Sequence, residues 1–295
     1  MEGNENHRQS RFKRAAFQKG LVLQERDLSI LKAVFEYRYL KRSQIQRLFA
    51  YDCTTRVNIR LRKLYDHKYL DRHFQPMVVG SSEAIYTIGI KGAQVIGKLL
   101  SLDAAEIKRR RRLDNIAKDR FIEHNLTLND FRINLMTQLK KNLQFQFRRW
   151  LDSRDCEYKF KYWANGKEMT TSLKPDGYFE FVHQTLLYSF FVEIDLSTSG
   201  QSKLQSKFKN YIQFKDLNLY QKEFGKENFH VLVVTNSLTR CERLHGIANK
   251  LNSSLFWFST LSETKSDLLF GDIWTQSLHT QMRAFFSQSK VKVLA

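Results

Sequence analysis

Three cysteines and two prolines among 295 residues are the first constraint on this chain. Cys53, Cys156 and Cys241 are too few and too scattered for a disulfide framework or a thiolate zinc site, so reduced thiols are expected. No window approaches eighteen consecutive apolar residues, and the opening MEGNENHRQSRFKR lacks the apolar core of a secretory signal. A transmembrane helix and secretion are thereby set aside, and a cytoplasmic protein is expected. The phosphate-cradling patterns GxGxxG, GxxxxGKS and GxxxxGKT are missing, which leaves nucleotide cofactors without support, and no Ser/His/Asp or Cys/His constellation stands out. Acidic side chains are also scarce, with 30 Asp and Glu against 49 Lys and Arg.

What is present is a folded, basic protein. An apolar content of 42% is that of an ordinary globular chain, and the length suits one large or two medium domains. The formal charge of +19 is unevenly placed: residues 1 to 150 carry 31 basic and 15 acidic side chains, residues 151 to 295 carry 18 and 15. The first half therefore faces a polyanion, and an excess of this size suits nucleic acid through phosphate contacts and counterion release. A membrane surface would use the same charge, but the Trp- and Leu-rich amphipathic anchor it needs is missing.

Residues 1 to 22 are polar and basic without a periodic apolar face and read as a disordered arm. From Glu25, Leu28, Leu31, Val34 and Phe35 recur at helical spacing; Ser43 is placed to cap a second short helix and Thr54 or Thr55 a third. The third helix carries Val57, Leu61 and Leu64 on one side and Arg56, Arg60 and Lys63 on the other, flanked by Asn58 and Arg62. Arginine suits guanine edges and asparagine adenine, so these five are candidate DNA contacts, the alternative being a solvated basic face. Two strands around a loop over residues 69 to 90 and a helix from Ala93 complete a winged helix-turn-helix over residues 23 to 103. Lys108, Arg109, Arg110, Arg111 and Arg112 form an unbroken basic run, read as a phosphate-contacting linker over residues 104 to 114. A long helix follows to Lys141. Glu123 lies in it, either as a surface acid or pointing across to the acids described next.

The stretch from Lys174 to Tyr211, KPDGYFEFVHQTLLYSFFVEIDLSTSGQSKLQSKFKNY, organises the second half. Glu193 and Asp195 are two apart on a strand too apolar to be an edge, so both acids share one face of a packed layer. Carboxylates in that setting need a cation. One candidate is a divalent metal on Asp176, Glu193 and Asp195; the other is lysine, since Lys203, Lys207 and Tyr211 fall at i, i+4 and i+8 on the next helix. FQFRRWL, YKFKYWA and YFEFV are further strands, with Asn165 and Gly166 as a hairpin turn. A helix from Lys203 to about Glu223, the strand HVLVVTN, a helix over Arg240 to Leu251 and a last strand LFWFSTL close the chain.

This order resembles the PD-(D/E)xK nuclease fold, in which an aspartate opens the second strand, an acid sits on the third and a lysine completes a metal and water site. Pro175, Asp176 and Glu193 match in type and place. The position two after the acid holds Asp195 instead of lysine, and Lys207 or Lys203 on the following helix would stand in. The whole run, from the helix-turn-helix through EHNLTLNDF, LKPDGYFEF, FFVEIDLST and KFKNY, is similar to the replication-relaxation family of plasmids and mobile elements, with Glu193, Asp195, Thr198, Lys207 and Tyr211 at the matched positions. The expected fold is thus α+β, a winged helix-turn-helix followed over residues 115 to 295 by an α/β domain with a mixed sheet. The resemblance implies a mobile-element protein that recognises duplex DNA and cleaves or nicks it with Mg²⁺ or Mn²⁺. Asp176, Glu193, Asp195 and Lys207 would be catalytic, with Glu123, Lys203 and Tyr211 as further candidates. The alternative is an inactive initiator or regulator on the same scaffold. Expected partners are double-stranded DNA, a second copy of the chain and replication or mobilisation proteins, with no membrane.

Overall fold

A computed structural model describes residues 10–15, 20–76, 80, 82–164, 166–197 and 200–286. It divides into two compact units, Met1–Ile133 and Asn134–Ala295. Asn165 and Thr198 lie outside the described residues, as does most of the arm expected at the start.

The first unit opens with α1 (Glu25–Tyr37), β1 (Leu40–Lys41), α2 (Arg42–Leu48) and α3 (Thr54–Asp66), followed by β2 (Leu70–His73) and β3 (Ile85–Ile88). The three strands form an antiparallel sheet in the order β1-β3-β2. Leu31, Val34 and Phe35 of α1, three of the four residues the helical spacing turns inward, meet Ile45, Val57, Leu61 and Leu64 in one core with Ile30, while Leu28 is only half-buried. Ser43 is not the cap expected of it. Lys41 occupies that position, while the Ser43 hydroxyl and backbone N–H both donate to Glu83 at 2.8 Å, tying α2 to the approach of β3. Residues 10–15 are held against the sheet: Arg14 donates to Asp71 at 2.6 Å, and Tyr65 donates through its hydroxyl to the Phe12 carbonyl at 3.1 Å.

The basic run read as a linker folds as a helix. After α4 (Ile90–Leu100), α5 (Ala104–Asn115) starts at Asp103, whose side chain accepts from the Glu106 N–H, and buries Ile107 in the same core. A capping aspartate and one apolar anchor outweigh the repulsion of five consecutive cations because Glu106 and Asp71 neutralise three of them. α6 (Asp119–Lys141) follows, and the division between the units falls within it.

In the second unit β4 (Phe145–Asp152), β7 (Gly177–His183), β8 (Leu186–Asp195), β9 (His230–Thr235), β10 (Phe256–Thr260), β11 (Trp274–Gln276) and β12 (Met282–Arg283) build one mixed sheet. Its order is β12-β11-β10-β9-β8-β7-β4, with β8, β9 and β10 mutually parallel. β8 lies inside the sheet, as its apolar run requires. β5 (Tyr158–Ala164) and β6 (Lys167–Leu173), named in chain order, pair only with each other as a separate hairpin. α7 (Gln201–Asp216), α8 (Leu219–Phe224) and α9 (Leu238–Lys250) complete the unit. The single helix expected from Lys203 to Glu223 is two, because Asn218 takes a left-handed conformation at φ 55° between them.

Leu204, Phe208, Tyr211 and Phe214 of α7 and Leu244 and Ile247 of α9 pack on Tyr178, Phe191, Val231, Val233, Phe256 and Phe258. Those sheet residues alternate with Phe179, Phe190, Val192 and Val234, which are buried on the other face. A sheet buried on both sides leaves few polar positions, and each one it holds calls for a partner.

Candidate functional site

The site begins with strand register. β7 and β8 pair antiparallel with Gly177 opposite Val192, so Asp176, one step before β7, falls opposite Glu193. The Ile194 N–H donates to Asp176 Oδ2 at 2.8 Å, which fixes the aspartate at the mouth of the ladder. Gly177 is required beside it: a Cβ there would stand 2.8 Å from the Trp150 ring and 3.1 Å from Val192 Cγ1. Pro175 is buried and removes a backbone donor where the chain turns into β7.

Glu193 is buried and points toward α7, where Lys207 Nζ donates to its Oε2 and the Tyr211 hydroxyl to its Oε1. Lys207 and Tyr211 stand one turn apart on α7, so the spacing visible in the sequence delivers both to one carboxylate. Burial pushes the Glu193 carboxyl up to about 7, with nearby Asp176 adding to the rise and Lys207 and Tyr211 opposing it. Burial works to lower the Lys207 ammonium, yet Glu193 and Asp176 together carry it above its ordinary value. The Tyr211 hydroxyl is held protonated, raised by burial and then by Glu193.

Asp195 shares the face of Glu193 but has a different cation. Arg240 Nε of α9 donates to its Oδ2 at 2.5 Å, and the Ser197 N–H donates to Oδ1 at 3.2 Å. The structure thus separates Asp195 from the Asp176, Glu193 and Lys207 set, because the parallel β9 and its helix bring an arginine that the sequence reading did not use. Lys203 is exposed on α7. Glu123 is exposed on α6 in the first unit, where its carbonyl accepts from the Thr127 hydroxyl at 3.0 Å. Among the described residues no group of three or more His, Cys, Asp or Glu is arranged to hold a metal ion. Asp176 and Glu193 are the two carboxylates left side by side, and both Glu193 oxygens already accept from Lys207 and Tyr211.

Another buried acid of the sheet escaped the sequence reading. Glu180 of β7 accepts from Arg149 at 2.9 Å and also from Lys226 and the Tyr178 hydroxyl, which lies 3.0 Å from that of Tyr220. Burial alone would raise this carboxyl, and Arg149, Lys226 and Tyr178 hold it below its ordinary value instead. The signal was a lone acid inside an aromatic strand, YFEFV.

On α3 the candidate DNA contacts divide in two. Arg56, Asn58 and Lys63 are exposed, and Arg56, Arg60 and Lys63 line a groove of about 410 Å³ with Arg26, Tyr51 and Ile59. Arg60 turns inward to Asp27, with Nε 2.6 Å from Oδ1, and Arg62 bonds Asp66 at 2.7 Å and the Ser10 carbonyl at 2.7 Å. On α5, Lys108 and Arg112 are exposed, Arg109 and Arg110 bond Glu106, and Arg111 bonds Asp71.

With the register, the acids and the α7 cation in place, the sequence model of the replication-relaxation family matches residues 31–228. The chain belongs to the replication-relaxation family. The matched span of this replication-relaxation protein holds α3, Asp176, Glu193, Lys207 and Tyr211, and it ends before β9, so Arg240 lies beyond it. No protein of curated function matches the chain. Among solved structures, that of restriction endonuclease FokI aligns over 81% of this replication-relaxation chain and 43% of its own, at 14% identity and a TM-score of 0.27, a likeness too slight to bear on function. No helix among the described residues of the replication-relaxation protein is long and apolar enough to cross a membrane.

Proposed function

We propose that this protein acts on the DNA of a prokaryotic mobile element, binding duplex through a winged helix in its first unit and cleaving or nicking it at Asp176, Glu193 and Lys207. The observation that carries the catalytic part is the meeting of Lys207 with Glu193 directly opposite Asp176. It supplies two carboxylates and a lysine although the position two after the acid is aspartate. The helix and strand order of the first unit and the exposed Arg56, Asn58 and Lys63 support the binding part.

Asp176 and Glu193 would hold Mg²⁺ or Mn²⁺, which when bound lowers the pKa of a water and offsets charge at a scissile phosphate. Lys207, at the edge of the site with 26% of its side chain exposed, would stabilise charge developing on that phosphate. Tyr211 donates to Glu193 and so orients it; its raised pKa suits that role better than a nucleophile's.

One observation favours the non-catalytic reading: both Glu193 oxygens already accept hydrogen bonds from the protein, which is how a structural ion pair is built. Incubation of supercoiled plasmid with Mg²⁺ or Mn²⁺ decides between them. The active reading expects nicked or linear product from the wild type and none from Asp176→Ala or Lys207→Ala. Intact plasmid with the wild type, under conditions where it binds duplex, leaves the scaffold reading.

A further inference from the structure

The β5–β6 hairpin is not part of the large sheet, and its two faces differ. Tyr158, Phe160 and Leu173 turn toward α7, where the Tyr158 ring lies 4.9 Å from that of Phe214 and Asn210 donates to the Ser172 carbonyl at 3.0 Å. The other face carries Lys159, Lys161 and Trp163 at alternate positions, opposite Ser172, Thr170 and Glu168. All three are open to solvent, Trp163 at 75%. Trp150 is only partly exposed and Trp257 and Trp274 are buried, so this ring is the exception among the four tryptophans.

A large ring held in water at the tip of a two-stranded ribbon contributes nothing to the core, and it stands in line with two ammonium groups. Glu168 lies 2.7 Å from Lys161, and Glu157 lies 4.0 Å from Lys159 and 3.4 Å from Lys174. Exposed pairs of this kind are weak and exchange readily for phosphate. β6 then runs through Lys174 and Pro175 directly into Asp176.

We propose that this outer face binds single-stranded nucleic acid, Trp163 stacking on an unpaired base while Lys159 and Lys161 contact the phosphates beside it. The π-face of a base and its flanking charge are the chemistry that an aromatic ring aligned with lysines accepts. The β5–β6 hairpin would thus hold a melted or displaced strand leading to the carboxylates, and the inference rests on the DNA-directed reading above.

The test uses the full chain with labelled oligothymidylate and, separately, with blunt duplex. Oligothymidylate should quench tryptophan emission in the wild type, and Trp163→Phe should abolish that quench while retaining most of the affinity. Trp163→Ala should weaken oligothymidylate about tenfold or more and leave duplex unchanged. The double variant Lys159→Ala, Lys161→Ala should lower the slope of log affinity against log salt on the single strand by about 1.4. Duplex binding by the wild type with no loss of single-strand affinity in Trp163→Ala overturns this proposal alone. Equal loss on both probes overturns the stacking assignment. No duplex binding by the wild type instead removes the reading on which it rests.

Discussion

Arg60 donates from Nε to Oδ1 of the fully buried Asp27 at 2.6 Å, and the same aspartate accepts from the Gln24 N–H at 2.7 Å as the closing residue of the α1 capping box. One carboxylate therefore starts the first helix and fastens the third to it. Removing the guanidinium leaves a buried charge unpaired, so Arg60→Ala should destabilise the first unit by about 3 kcal/mol. All four tryptophans lie in the second unit, so the loss should appear in the far-UV circular dichroism melt while tryptophan emission keeps its midpoint. A stability equal to wild type would show that the pair is dispensable.

On the proposed duplex-binding reading, base contacts fall to the exposed neighbours. Arg56→Ala should cost about 1 to 3 kcal/mol on a preferred duplex and relax the preference at one position, whereas Lys63→Ala should weaken all sequences alike and reduce the salt slope by about one. Binding selections with each variant distinguish the two patterns. A uniform loss for Arg56→Ala would make it a phosphate contact.

The buried Glu193 sets a pH dependence of unusual sign for an acid. Its carboxyl titrates near 7 in the fold and near 4.5 in the unfolded chain, so its contribution to stability is full below about 4.5 and is lost as pH rises through 7. The change should be about 3 kcal/mol, read from denaturant melts of tryptophan emission at pH 5, 6, 7 and 8. Glu193→Gln should flatten the curve. A variant with the wild-type slope would assign the titration to another group.

Asp176 and Asp195 should respond differently to metal. Millimolar Mn²⁺ should raise the Tm of the wild type by mass action, and Asp176→Asn should abolish that shift while remaining folded. Asp195→Asn should keep the shift but lose about 3 kcal/mol, because the Arg240 guanidinium, 10% exposed, loses the opposite charge of Asp195. A metal shift lost in Asp195→Asn and kept in Asp176→Asn would exchange their roles.

Much of this arrangement is legible in residue order. Alternation and aromatic content predict β4, β5, β7, β8, β9 and β10, and the i, i+4 spacing places Lys207 with Tyr211. Two kinds of feature escape. Trp274–Gln276 and Met282–Arg283 are too short to show a period, and they join the sheet only because β10 offers them an edge. Ion-pair partners such as Arg240 and Asp195 lie 45 residues apart, and nothing local in sequence says which arginine a buried acid will meet. Arg60 shows the same: its spacing on α3 suits the groove it lines, yet nothing local says that Asp27, 33 residues earlier, holds its guanidinium.

Every group of the proposed site, from Asp176 to Tyr211, comes from one unbroken stretch of 36 residues that takes in a strand, a two-residue turn at Gln184 and Thr185, a second strand and α7 as far as Tyr211. Closing such short loops costs little chain entropy, so the acids meet, and the lysine reaches them, through contacts that are near neighbours along the chain. The strands after α8 bury this stretch without supplying its chemistry. On the proposed reading, all the groups of the site would be encoded together on one small piece of gene.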